Sequence, residues 1–192
     1  MLMCTILTFA MCANPSVAGA FAFGDLTVPI VWTRVQLHSC SEVGQTTAEA
    51  GLTHIETAWS AQQLATNDGT YTGRLVVHLE RAHIDLSTYS WDKISPAGVN
   101  AMRHLIQATL WHELGHLRTA QKTIEALNAG GTFSAASADE FTALADDRGN
   151  AAAARIGADQ DEYDLVADHG LRQATLPPPL GGPDTIVTCP ER

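Results

Sequence analysis

Trp111-His112-Glu113-Leu114-Gly115-His116, inside the longer run Ser95–Asn128, decides how this chain is read. Ser95 suits an N-cap and Pro96 the first helical position, while Asn128-Ala129-Gly130-Gly131 is a stop signal. The run is therefore predicted to be one long helix. A helix advances ~100° per residue, so His112 and His116 project from one face and can hold one metal ion. Glu113 stands on the flank of that face, within reach of a water but free not to bind metal. Two imidazoles with a neighbouring glutamate are the side chains with which zinc hydrolases hold the ion and move the proton.

Val99, Ile106, Leu110, Leu114 and Leu117 form an apolar stripe on this helix, and the histidines lie nearly opposite, beside Leu105. Two apolar sides predict a helix covered on both, with the histidine side under a cleft. Upstream, Leu26–Leu37 is β-branched and reads as a strand, with Pro29 suggesting an edge or a strand start. Thr46–Thr66 carries Ala48, Leu52, Ile55 and Trp59 at helical spacing and is expected to be an amphipathic helix. Asn67-Asp68-Gly69 is a turn, and Tyr71–Glu80 alternates as a half-buried strand that Ala82–Leu86 extends or pairs with. Downstream, Ser137-Ala138-Asp139-Glu140 is a capping box for a helix running to about Ile156. Gly157–Gly170 reads as an acidic loop, and a Pro/Gly-rich segment with Pro177-Pro178-Pro179 reads as an extended or flexible tail.

The 192 residues carry a formal net charge of −10, with no Lys/Arg cluster. That excludes phosphate-neutralising nucleic-acid binding and docking on anionic membranes. Much of the acidic excess lies between Asp139 and Asp168, where its default reading is a solvated surface. Met1–Ala20 is apolar and ends in small residues, with Ala18-Gly19-Ala20 and Ala20-Phe21-Ala22 as cleavage-site matches, although no Lys or Arg precedes the apolar core. The expected organisation is a signal peptide over 1–20, one domain over 21–175 and a tail over 176–192, exported to the periplasm or secreted. Cys40 and Cys189 then remain, either as one disulfide or as two buried thiols.

A hydrolytic zinc site needs a third protein ligand. Thr119 and Lys122 stand where a metzincin would carry Gly and His, so that extension is absent. Glu140, Asp146, Asp147, Asp159, Asp164 and His169 are the candidates. For His38, His54, His78, His83 and His104, surface or hydrogen-bonded roles are the expectation, because nothing in the sequence sets them at ligand spacing.

Two segments resemble a known family. Trp111-His112-Glu113-Leu114-Gly115-His116 and Tyr163-Asp164-Leu165-Val166-Ala167-Asp168-His169-Gly170 are similar to the paired motifs of bacterial proteins described as predicted secreted zinc-dependent proteases, a domain of unknown function. That family shows His-Glu-x-x-His followed by Tyr-Asp-x-x-Thr-x-His-Gly, and the resemblance spans Val28 to Arg172. Ala167 departs from it, standing where the family usually has Thr. The resemblance implies a zinc metalloprotease. Residue chemistry agrees with it: His169 is favoured as third ligand beside His112 and His116, with Gly170 allowing close approach. Glu113 is the expected general base, and Tyr163 is the candidate donor to an oxyanion.

The sequence thus predicts an α+β, zincin-like fold in which a small, mostly antiparallel sheet packs on the long helix. It predicts a Zn2+ metallopeptidase acting on a protein or peptide. A zinc hydrolase of a non-peptide amide or ester, and a non-catalytic exported binding protein, are the alternatives.

Overall fold

The protein is described by a computed structural model covering residues 19–45 and 50–189. The expected signal peptide lies almost wholly outside the described residues, although both candidate cleavage sequences reach into the first strand. Among the described residues no helix is long and apolar enough to cross a membrane.

The fold is α+β. Five strands, β1 (Gly19–Phe23), β2 (Leu26–Leu37), β3 (Gly51–Asn67), β4 (Thr70–Trp91) and β5 (Phe133–Ala135), form one mixed sheet, and two helices, α1 (Pro96–Asn128) and α2 (Ala138–Ala167), cover one face. The order is β1-β2-β4-β3, with β5 added to the start of β4. All pairings are antiparallel except β2 with β4, which is parallel. Pro29 is not on an edge strand, because β2 is flanked by β1 and β4. It sits one residue before the β4 ladder opens at Ile30↔Ile84, so its missing N–H costs that ladder nothing.

The segment expected as a helix over Thr46–Thr66 is, from Gly51 onward, strand β3; residues 46–49 lie outside the described part. Leu52, Ile55 and Trp59 satisfy helical spacing, but Thr53, Ile55, Thr57, Trp59 and Ala61 also recur every second residue and form the half-buried side of the strand. The turn decides between the periods. Asp68 and Gly69 both have positive φ, 49° and 80°, as a type I′ hairpin turn requires, and the hairpin zips from Asn67↔Thr70 back to Gly51↔Leu86.

Near its middle the hairpin carries a β-bulge. Thr57 pairs with Leu79 and Glu56 with Arg81, leaving Glu80 as the extra residue of β4. An inserted residue reverses which side chains face the core. Val77 is buried before the bulge, and Ala82, Ile84 and Leu86 after it. His83 and Asp85 thereby turn to the outer face.

Against the inner face, Leu117 of α1 packs with Val28, Ile30, Ala82, Ile84 and Leu86, and Leu110 and Leu114 join it. Ser95 caps α1 by accepting from the Gly98 N–H at 3.1 Å, as its sequence predicts. The capping box of α2 is partly realised: Ser137 Oγ accepts from the Glu140 N–H at 3.2 Å, while the Glu140 carboxylate accepts from Ala136 N at 2.7 Å.

α2 does not stop near Ile156 but runs to Ala167, where Asp168 ends it in the left-handed region. The stretch expected as a loop is helical because Phe141, Ala145, Gly149, Ala152, Ile156, Tyr163 and Ala167 make one buried stripe at helical spacing, hidden in the sequence among acidic residues. Gly149 gives α2 its close approach to the sheet, since a Cβ there would lie 2.1 Å from the Trp59 indole nitrogen.

The segment after Leu176 is not a loose tail. Thr185 N donates to Gly170 O at 3.0 Å, Val187 packs with Leu37, Tyr89, Met102 and Leu105, and Cys189 is disulfide-bonded to Cys40. It lies as a strap along the first half of α1.

Candidate metal centre

α1 carries Leu110, Leu114 and Leu117 toward the sheet and His112 and His116 toward α2, where Tyr163 and Asp164 meet the two histidines. Asp164 Oδ1 lies 3.1 Å from His112 Nε2 and 3.1 Å from His116 Nε2. Tyr163 is buried, stacked on His112 with ring centres 5.1 Å apart at 18° and edge-on to His116 at 4.9 Å and 87°. Its phenol donates to the His112 backbone carbonyl at 3.3 Å. Such closeness needs Gly115, because a Cβ on residue 115 would fall 1.9 Å from the Tyr163 hydroxyl. The glycine of the motif is therefore a helix–helix contact.

The donor set could hold a metal ion. Tetrahedral coordination at 2.0–2.1 Å separates ligand atoms by about 3.3 Å, close to the 3.1 Å between Asp164 Oδ1 and each imidazole Nε2. The His112 side chain is 7% exposed, and burial, followed by the neighbouring His116, lowers its pKa to about 4 despite the opposing pull of Asp164. The imidazole is thus neutral at physiological pH, the form that binds metal. Its Nδ1 is buried and has no hydrogen-bond partner among the described residues. His116 Nδ1 lies 2.8 Å from the Gln160 side-chain amide, whose NH2 donates to it and to the His116 carbonyl in the orientation that satisfies both groups of the amide.

Glu113 stands between the two faces of α1, at the seam with β3. It is 3% exposed, and Thr53 Oγ1 donates to its Oε2 at 2.8 Å and reaches its backbone carbonyl at 3.1 Å. Gly51 keeps that seam narrow, since a Cβ there would lie 2.5 Å from Glu113 Oε1. Burial, and then the charges of Glu113 and Asp164, raise the Tyr163 phenol far above the ordinary range, so Tyr163 stays protonated.

His112, His116 and Asp164 have donor atoms all within 4.8 Å of one another. His169, the favoured third ligand, stands just outside that trio. Its Nδ1 is 3.8 Å from Asp164 Oδ1 and its side chain is 80% exposed. Asp168, His169 and Gly170 all have positive φ, and this left-handed run turns the chain back so that Gly170 lies against His112 and Thr185. The other candidates are engaged elsewhere or exposed: Glu140 caps α2, Asp159 bonds Thr123 and Arg155, and Asp146 and Asp147 face solvent. Tyr163, the candidate oxyanion donor, has its hydroxyl on the His112 carbonyl. Most of the acidic run is solvated as expected, Asp164 and Asp159 being its half-buried members.

A second group, His54, His83 and Asp85, also has donor atoms within 4.8 Å of one another. Nothing in the sequence sets His54 and His83 at ligand spacing; only the hairpin register, bulge included, brings them together.

No known family model, curated protein or solved structure matches this chain.

Proposed function

We propose that the protein is an exported zinc-dependent metallopeptidase of zincin-like design. One observation carries this reading: two histidine Nε2 atoms one helical turn apart converge on the Asp164 carboxylate, with Glu113 between them in sequence. His112, His116 and Asp164 would hold the ion, and His169 stands at the rim, in reach of Asp164. A zinc ion so held acidifies water toward neutrality and polarises a carbonyl.

The chain's own residues supply the remainder. Glu113 would take a proton from the attacking water at its carboxylate and return it to the leaving amine. Thr53 donates to the Glu113 carboxylate at Oε2 and so limits the positions that it can take. Tyr163 wedges the two imidazoles in place, a positioning role. Burial keeps His112 neutral and ready to ligate.

One observation favours a second reading. His112 is covered by Tyr163 and Gly170, so the ion could serve as a clamp between α1 and α2 without catalysis. Glu113→Gln separates the two. Under the first reading the variant retains zinc and loses about 10²- to 10⁴-fold in chelator-sensitive cleavage of a peptide library. A zinc-loaded wild type that cleaves nothing in that library leaves the clamp standing. Wild-type rates in the Gln variant would reject Glu113 as the base.

A further inference from the structure

We propose that His54, His83 and Asp85 form a second metal site, on the outer face of the sheet, for a divalent transition-metal ion such as Zn2+ or Cu2+. His54 of β3 and His83 of β4 are direct cross-strand partners, and Asp85 follows two residues after His83 on the same face. Cross-strand partners hold their Cβ atoms about 5 Å apart, and i,i+2 neighbours share a face. Three side chains able to ligate thus rise together from a rigid hairpin.

His54 Nε2 lies 3.0 Å from Asp85 Oδ2, and the two imidazole rings stack 4.1 Å apart at 14°. The side chains of His54 and Asp85 are 43% and 41% exposed. One donor atom from each of the three lies within 4.8 Å of the others, with solvent-facing positions left for water. Two imidazoles and one carboxylate suit borderline metals such as Zn2+ and Cu2+ better than Ca2+ or Mg2+, which prefer all-oxygen sets.

The surroundings are compatible with a cation. Arg81, two residues before His83, has Glu56 3.9 Å away on β3. Where β2 has not yet joined β4, a groove of about 570 Å3 lined by Pro29, Val31, Arg81 and His83 opens beside the cluster. An ion here would tie β3 to β4 at the bulge, on the opposite side of the sheet from α1, and would stay accessible to small ligands.

The test uses the full chain, stripped of metal and titrated with Zn2+. Imidazole 15N resonances are followed in the wild type, and bound zinc is counted by equilibrium dialysis in wild type, His83→Gln and Asp85→Asn. The expected result is a shift of the His54 and His83 ring signals, with either variant binding one equivalent less or losing about tenfold or more in affinity for it. Because His112 and His116 give their own signals, failure of the buried centre is seen separately and leaves this result intact. His54 and His83 signals that do not move in excess Zn2+, or identical stoichiometry and affinity in wild type and both variants, would overturn the proposal.

Discussion

Two clusters of the same composition, two histidines and one aspartate, sit on opposite sides of one sheet. The buried one joins α1 to α2, with His112 at 7% side-chain exposure. The open one lies across β3 and β4, with His54 at 43%. Burial is the larger difference in chemistry. It lowers His112 to about 4, so protons compete weakly for that ligand, and it leaves Nδ1 without a partner. An open cluster is solvated whether or not a metal comes, so an ion there adds less to the fold. The buried cluster is thus the one whose occupancy should govern stability and activity.

The sharpest way to break this comparison is to remove Asp164. Structural zinc contributes about 10–16 kcal/mol in total, so one ligand of the set is worth a few kcal/mol. Asp164→Ala should lower zinc affinity of the buried centre by about 10²- to 10³-fold, read by competition with a chelator. His169→Ala, whose ring is 3.8 Å from Asp164 and mostly exposed, should lower it by less than about tenfold. The reverse ranking would move the third ligand from Asp164 to His169, as the motif resemblance has it.

The strap provides the next test. It reaches Gly170, behind His112, and its bond to Cys40 closes a separation of 149 residues. Removing the bond by Cys40→Ser with Cys189→Ser should cost about 2–4 kcal/mol in denaturant unfolding. Amide exchange should quicken around Gly170 and Thr185, whereas β3 and β4 near His54 and His83 keep their protection. Equal loosening of both regions would show that the strap is not specific to the buried side.

A smaller effect is expected from Gly115→Ala, which puts a methyl group where the Tyr163 hydroxyl lies. Overpacking costs about 1–3 kcal/mol, and here it pushes α2 away from the histidines. The melting temperature and buried-site zinc affinity should fall together, while the His54 and His83 ring signals stay where they were. A variant with wild-type affinity would mean that the trio tolerates helix separation.

The difference in legibility between the clusters has a physical origin. A helix sets i and i+4 together by local geometry alone, so His112, Glu113 and His116 could be read directly, as could the caps at Ser95 and Ser137. Asp164 is only one candidate among several in the sequence, because the helical pattern of α2 fades near Ile156. Beyond Ile156 its buried stripe is carried by Tyr163 and Ala167 alone, set among acidic residues. The open cluster was invisible. His54 was assigned to a helix, and the side on which His83 points depends on Glu80 being bulged, a property of the pairing and not of β4 itself. The strand β2 was legible to the residue, since β-branched composition needs no partner to be seen, whereas its parallel pairing with β4 was not.

The smallest predicted effect also lies at the helix–helix seam. Asp159 of α2 accepts from Thr123 of α1 at 2.6 Å and pairs with Arg155 at 2.8 Å. The Thr123 hydroxyl, and after it Arg155, lower its carboxyl below the ordinary 3.8, with slight burial opposing. A carboxyl lowered in the folded state contributes stability that is fully present above its unfolded value and is lost as pH falls through the folded one. Asp159→Asn should therefore destabilise the protein at neutral pH, and the gap from wild type should narrow in acid, below pH 3.8. Its partner Arg155 is mostly exposed, which screens the pair, so the gap should be about 1 kcal/mol or less. Urea unfolding at two pH values measures it. A gap that widens in acid would mean that Asp159 is held as the neutral acid, and that α1 and α2 meet there through a hydrogen bond alone.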